Sequence, residues 1–174
     1  MKARILVIVS ILAMSGSVTA DDQQRVHVDI DQVQSTMDIQ PVDGIRSSGQ
    51  PDAQEFATLA ESGYVAVVDL RGEAEDRGLD ESAVLEELGL DYIQLPLASP
   101  EAISFENAEK LDEILAEYDG PVLLHCGSGN RVGALLTLRK SMDGASDEDA
   151  LNYGRSAGLT GLEPVVRSRL AEKD

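Results

Sequence analysis

The sequence has one cysteine, no tryptophan, two histidines and only four lysines. Each scarcity excludes something. One cysteine allows no intramolecular disulfide, so Cys126 is either an inert buried thiol or a reactive one. Two histidines far apart in sequence, with no H-E-x-x-H pair and no paired-cysteine spacing, offer no zinc site. No metal and no cofactor is therefore expected. Aromatic residues make up 3% of the chain, so its core must rest on Leu, Val, Ile and Ala. Cations are outnumbered, 14 Lys and Arg against 32 Asp and Glu, for a net charge of −18. That balance argues against nucleic acid or an anionic membrane as partner. It also suggests a salt-adapted source.

What is present begins with a leader. Lys2 and Arg4 precede an apolar stretch, Ile5 to Met14, followed by small residues ending Val18-Thr19-Ala20. This is the three-part pattern of a signal peptide, residues 1–20, with cleavage expected after Ala20. The apolar stretch is about half of the roughly 20 residues that a membrane span needs. The mature protein is thus expected to be periplasmic or secreted, with no span of its own. Loss of Lys2 and Arg4 takes its charge from −18 to −20. Residues 21–40 read as an N-terminal extension, in which Val26, Val28 and Ile30 alternate as in a short strand.

Residues 41–174 read as one domain, without repeats or an internal linker. Strands are expected at Gly44 to Arg46, Tyr64 to Leu70, Tyr92 to Leu97 and Val122 to His125. Helices are expected from Asp52 to Gly63, Ser82 to Leu88, Ser104 to Tyr118, from near Arg131, from Ser146 to Gly158, and from about Glu163. Strands alternating with helices imply a three-layer αβα domain with a mostly parallel sheet of four to five strands.

In such folds ligands gather at the carboxyl ends of strands. There lies PVLLHCGSGNRVGA, residues 121–134. Its glycines miss the G-x-G-x-x-G dinucleotide spacing, and no Gly-Lys-Ser/Thr follows to make a Walker loop. A glycine-rich turn between strand and helix aims backbone N–H groups at one point, and the helix N-terminus adds about half a positive charge. A cysteine placed there beside Arg131 is a thiolate candidate, and the same cradle suits an oxyanion.

HCGSGNRVGA resembles the cysteine loop of the phosphatase-like domain of β-lactamase-hydrolase-like proteins, a relative of dual-specificity and protein tyrosine phosphatases. Ser48-Gly49-Gln50-Pro51 and the strand VVDLR, Val67 to Arg71, belong to the same likeness, which covers about Pro41 to Leu170. The resemblance implies a protein-tyrosine-phosphatase-like fold and a phosphorylated substrate. Cys126 would be the nucleophile and Arg131 the phosphoryl-binding cation. Gly127, Ser128, Gly129 and Asn130 would supply amide donors. His125 would orient the loop, or simply pack in the core. Glu101, with Glu73 and Asp76 as alternatives, is the candidate general acid. Asp69 and Arg71 would pair at a strand end.

Two departures keep other readings open. Only four residues separate Cys126 from Arg131, where cysteine-dependent phosphatases generally have five. The shorter spacing is typical of rhodaneses, so a sulfurtransferase with a sulfur-donor substrate and a Cys126 persulfide is the alternative. Val132 also stands where a hydroxyl residue often assists turnover. A non-catalytic module binding an anion or phospho-ligand is the third reading. Nothing in the sequence specifies an oligomeric state.

Overall fold

A computed structural model describes residues 40–42 and 45–173, with side chains from Ser48 onward. The expected leader, most of the extension and its strand at Val26 to Ile30 lie outside the described residues. Among these residues five strands form one sheet: β1 (Gln40–Val42), β2 (Ile45–Ser48), β3 (Ala66–Asp69), β4 (Asp91–Gln94) and β5 (Val122–His125), in the order β1-β2-β5-β3-β4. All neighbours run parallel except β1, which pairs antiparallel with β2. Sequence reading placed no strand at β1, because three residues centred on Pro41 carry neither alternation nor a full set of amide donors.

Among the described residues six helices cover the sheet: α1 (Ala53–Glu61), α2 (Glu81–Leu88), α3 (Phe105–Leu115), α4 (Asn130–Met142), α5 (Asp147–Ser156) and α6 (Glu163–Ala171). The period of two along the buried strands divides the layers. Val67 and Leu123 face α1 and α2, joining Phe56, Leu59 and Leu85. Ala66, Val68, Val122 and Leu124 face the other way, toward Leu111, Leu135, Leu138, Leu151 and Val166. The result is the three-layer α/β arrangement expected. Two strands are shorter than their apolar runs, although bonding continues past their ends: Leu95 N–H donates to Asp69 O and Leu97 N–H to Leu70 O, both at 3.0 Å.

α4 is the central helix, with Val132 through Leu138 all buried. It meets α5 closely through two glycines, one on each helix. A Cβ on Gly133 would lie 2.1 Å from the backbone nitrogen of Leu159, and one on Gly154 would lie 1.8 Å from Thr137 Oγ1. That close crossing brings the segment after α5 against the first turn of α4.

The register aligns three strand ends. His125 sits opposite Ser48 on one side and Asp69 on the other. The segments leaving β2, β5 and β3 therefore emerge side by side.

Candidate active site

Cys126 follows β5 directly and is fully buried. Its N–H donates to Ser48 O at 3.3 Å, and Ser128 forms a bridge with Gly49, so the Ser48-Gly49 segment props the loop from one side. The loop then turns back over the sulfur. Gly129 adopts a left-handed conformation, φ +78°, which glycine accepts without strain. This turn lets Gly129 N–H donate to Cys126 Sγ at 3.1 Å and makes Gly129 the N-cap of α4. The sulfur thus lies under an amide donor at the positive end of a 13-residue helix.

Arg131, in the first turn of α4, closes the loop. Its guanidinium hydrogen-bonds Glu75 through both Nη atoms, with Nη2 to Oε2 at 2.7 Å and Nη1 to Oε1. Cys126 nearby also favours the charged form of Arg131. The Glu75 hydrogen bonds, despite partial burial, hold the Arg131 pKa above its ordinary value. Reciprocally, the Glu75 carboxyl is held below the usual range, chiefly by Arg131 and also by Gly72 N–H at 2.7 Å.

Asn130 is turned elsewhere. Its side-chain Oδ1 accepts from Thr160 N–H at 2.9 Å and Leu162 N–H at 3.3 Å. The asparagine side chain fastens the segment after α5 to the loop. Gly127 and Ser128 are exposed beside the buried sulfur.

Beneath the loop lies a buried polar network. Arg71 donates to both Asp69 oxygens, at 2.8 and 3.0 Å, and to Glu81. Asp69 also accepts from Tyr92 Oη at 2.9 Å and Arg77 Nε at 3.1 Å. Burial alone would raise the Asp69 pKa, but the Arg71, His125 and Tyr92 interactions bring it down to about 2. His125 is fully buried here, its Nε2 3.5 Å from Glu81 Oε2, with Phe56 edge-on to its ring at 6.2 Å. Donor atoms of Asp69, Glu81 and His125 lie within 4.8 Å of one another. The guanidinium of Arg71 already bridges both carboxylates, so the charge that would hold a metal ion is matched by an internal cation.

The side chains of the expected acids make none of the contacts of this network. Glu101 is exposed on the 3-10 turn Pro100–Ala102, and a hydrogen bond with Ser99 lowers its pKa. Glu73 is exposed, and Asp76 is exposed and accepts from Gly78 N–H. Sequence reasoning missed Glu75 and Glu81. Glu75 is one of three acids in four residues, 56 positions from Arg131, and nothing in the linear pattern distinguishes it. Glu81 reads as an ordinary acid in a first helical turn.

A profile of the family described as DSP-PTPase phosphatase fused to NAD+ kinase matches residues 25–161. The chain belongs to this family. Among curated proteins it is similar to the β-lactamase hydrolase-like protein of Agrobacterium fabrum, 28% identical over 117 residues, 64% of this chain and 27% of that protein. The counterpart in Xylella fastidiosa is 33% identical over 106 residues, 59% of this chain and 24% of that protein. The chain therefore spans about a quarter of these relatives. Solved structures share its fold at lower identity. A candidate phosphatase of Neisseria meningitidis aligns at a TM-score of 0.62 and 19% identity, covering 72% of this chain and 90% of that one. A variant of P. aeruginosa TpbA in complex with phosphotyrosine aligns at 0.53 and 21%, covering 78% and 96%. This DSP-PTPase-type domain accordingly has the phosphatase-like fold, with the cysteine loop at the carboxyl edge of its sheet.

Proposed function

We propose that the domain is a cysteine-dependent phosphatase acting through Cys126. One observation carries the reading: the Cys126 sulfur, the Gly129 amide, the N-terminus of α4 and Arg131 converge on a single point. In the first step the Cys126 thiolate attacks phosphorus, an S–P bond forms, and the ester P–O bond breaks. The leaving oxygen takes a proton from water. Water then attacks phosphorus, the S–P bond breaks, and inorganic phosphate and the thiolate are released. Loop amides and Arg131 stabilise the equatorial oxygens in both steps. Buried Val132 offers no hydroxyl to the departing thiolate, so the second step is slow. With the leader removed at Ala20, the enzyme works in the periplasm or outside the cell.

The test is turnover of an aryl phosphate by the purified mature chain. An aryloxide leaves without an acid, so the assay does not depend on the identity of the proton donor. Phosphate release that disappears in Cys126→Ser supports the proposal. Thiocyanate formation from thiosulfate and cyanide, with no phosphate release, replaces it with the sulfurtransferase reading that the four-residue spacing favours. Sulfate binding that survives Cys126→Ser, with neither turnover, replaces it with the binding module.

A further inference from the structure

Departure of the leaving oxygen decides which phosphates a cysteine loop can use. A group that protonates this oxygen must be free to reach it. Among the described residues, the carboxyl groups on the segments beside the cysteine loop are already engaged or lie on the surface. Asp69 and Glu81 are buried and bonded to Arg71. Glu75 accepts from Arg131 through both oxygens and from Gly72 N–H. Asp76 is exposed and accepts from Gly78 N–H. Glu73 is exposed, on a backbone whose carbonyl is held by Arg77 Nη1 at 3.3 Å.

Glu101 remains, and its turn is fastened on both sides. Before the turn, Leu97 N–H donates to Leu70 O at 3.0 Å, and Leu97 O accepts from Arg131 Nη1 at 3.4 Å. After it, Ala102 O accepts from Asn107 Nδ2 at 2.7 Å, and Ile103 O accepts from Arg169 Nε at 3.0 Å. Ile103 itself is buried. Within the turn, Ala102 N–H donates to Ser99 O and Ile103 N–H to Pro100 O, both at 3.1 Å. A Cβ on Gly72 would lie 3.1 Å from Ala98 Cβ, so the turn also packs on the loop after β3. Glu101 is exposed in the middle of this turn and hydrogen-bonds Ser99. The turn is thus built as a fixed corner, and swinging it over the sulfur would break its anchors on at least one side.

We propose that the site selects phosphoryl donors whose leaving group departs as a stable anion, acyl phosphates first and acidic phenyl phosphates after them, over alkyl phosphates. This rests on the phosphatase reading and names the substrate class of that same site. The Cys126 thiolate forms an S–P bond, the bond from phosphorus to the leaving oxygen breaks, and its electron pair stays on that oxygen. A carboxylate holds the pair as an anion at neutral pH, since its acid has a pKa of about 4, against about 10 for a phenol of the tyrosine type. The phenolate then takes its proton from water. An alkoxide is more basic still and leaves slowest. Arg131 and the loop amides bind the oxygens that stay on phosphorus, so they serve every donor equally.

The full chain is assayed with phenyl phosphates whose phenols span pKa values of about 5 to 10, with acetyl phosphate, and with glycerol 2-phosphate. Cys126→Ser is the blank for spontaneous hydrolysis. The quantity compared is kcat/KM, which reports the S–P bond-forming step even where breakdown of the phosphocysteine limits kcat. It is expected to fall on the order of tenfold for each unit of phenol pKa, as full charge develops on the departing oxygen. Acetyl phosphate should outpace the phenyl phosphates at the basic end, and glycerol 2-phosphate should be the slowest of all. A fall of less than about threefold per unit, with glycerol 2-phosphate hydrolysed beside the phenyl esters, overturns the proposal, because the site then supplies a proton. The phosphatase reading would survive that result. Absence of Cys126-dependent phosphate release from every donor, the most activated included, overturns the phosphatase reading and the proposal together.

Discussion

The side chain of Asn130 accepts a hydrogen bond from the backbone N–H of Thr160 at 2.9 Å, across thirty positions of sequence. Leu162 N–H joins it at 3.3 Å. Close by, Gly158 stands at φ +103°, and a Cβ there would lie 3.0 Å from Gly129 O. The segment after α5 is thus seated on the cysteine loop and tied to it by one amide side chain. A residue read as a substrate donor is a brace for the cradle through its side chain.

Asn130→Ala should consequently destabilise the fold by about 1–2 kcal/mol, the ordinary net value of two lost hydrogen bonds of which one is long, since Thr160 is exposed and water can replace the partner. Asn130→Asp keeps the acceptor oxygen and should keep most of that stability. Urea midpoints of the two variants check this. Equal losses would show that the Oδ1 contacts are not what matters.

Gly133→Ala sets two effects against each other. Alanine favours a helix interior over glycine by about 1 kcal/mol. Here, however, the new Cβ would meet Leu159 N at 2.1 Å and Gly154 O at 2.6 Å, both backbone atoms. Backbone cannot turn aside as a flexible side chain can, so α4 and α5 must separate. A net loss of about 2 kcal/mol is expected. Thermal melting would show it, and a rise in melting temperature would contradict the close crossing.

Much of this architecture was readable because local signals and tertiary roles coincide. Ser104 and Ser146 stand at the expected starts of their helices, where their hydroxyls cap them by accepting from Asn107 and Asp149 N–H. The helix expected to end at Leu88 does end there, and Gly89 after it adopts the left-handed conformation. VLLH reads as a strand, and β5 is the middle strand of the sheet, buried throughout. Cys126 and Arg131 were visible because the loop that joins them is contiguous. Glu75, Glu81 and the brace role of Asn130 were not. Their partners lie on other strands and helices, and a linear pattern of acids does not say which one the fold turns inward. β1 escaped for a different reason: its pairing is decided by β2, not by its own composition.

The Asp69–Arg71–Glu81 network should dominate the acid stability of the fold. Asp69 has a native pKa of about 2 against an ordinary 3.8. A depressed native value means that the stabilisation is complete above the unfolded pKa and is lost as pH falls through the native one. The loss should therefore fall between about pH 4 and pH 2 and amount to about 2 kcal/mol. Arg71→Met removes the partner and leaves two buried carboxylates uncompensated, at an expected cost of 3–5 kcal/mol on the order of other broken buried pairs. Denaturant melts at stepped pH test both. In Arg71→Met the acid-dependent step should be much smaller, because the carboxylates there no longer gain from being ionised.

Glu101 provides the last test. A general acid must hold a proton at working pH, which calls for a raised pKa and usually for burial. Glu101 has the opposite setting, being exposed, with its pKa lowered by a hydrogen bond with Ser99. Glu101→Gln should accordingly leave phosphatase turnover within about twofold on an aryl phosphate with a good leaving group, and equally on an alkyl phosphate with a poor one. A residue that protonates the leaving oxygen would behave differently. Its loss would spare the aryl substrate and cut the alkyl substrate by about a hundredfold or more. The ratio of the two effects, measured in one variant, decides whether the turn after β4 supplies the proton.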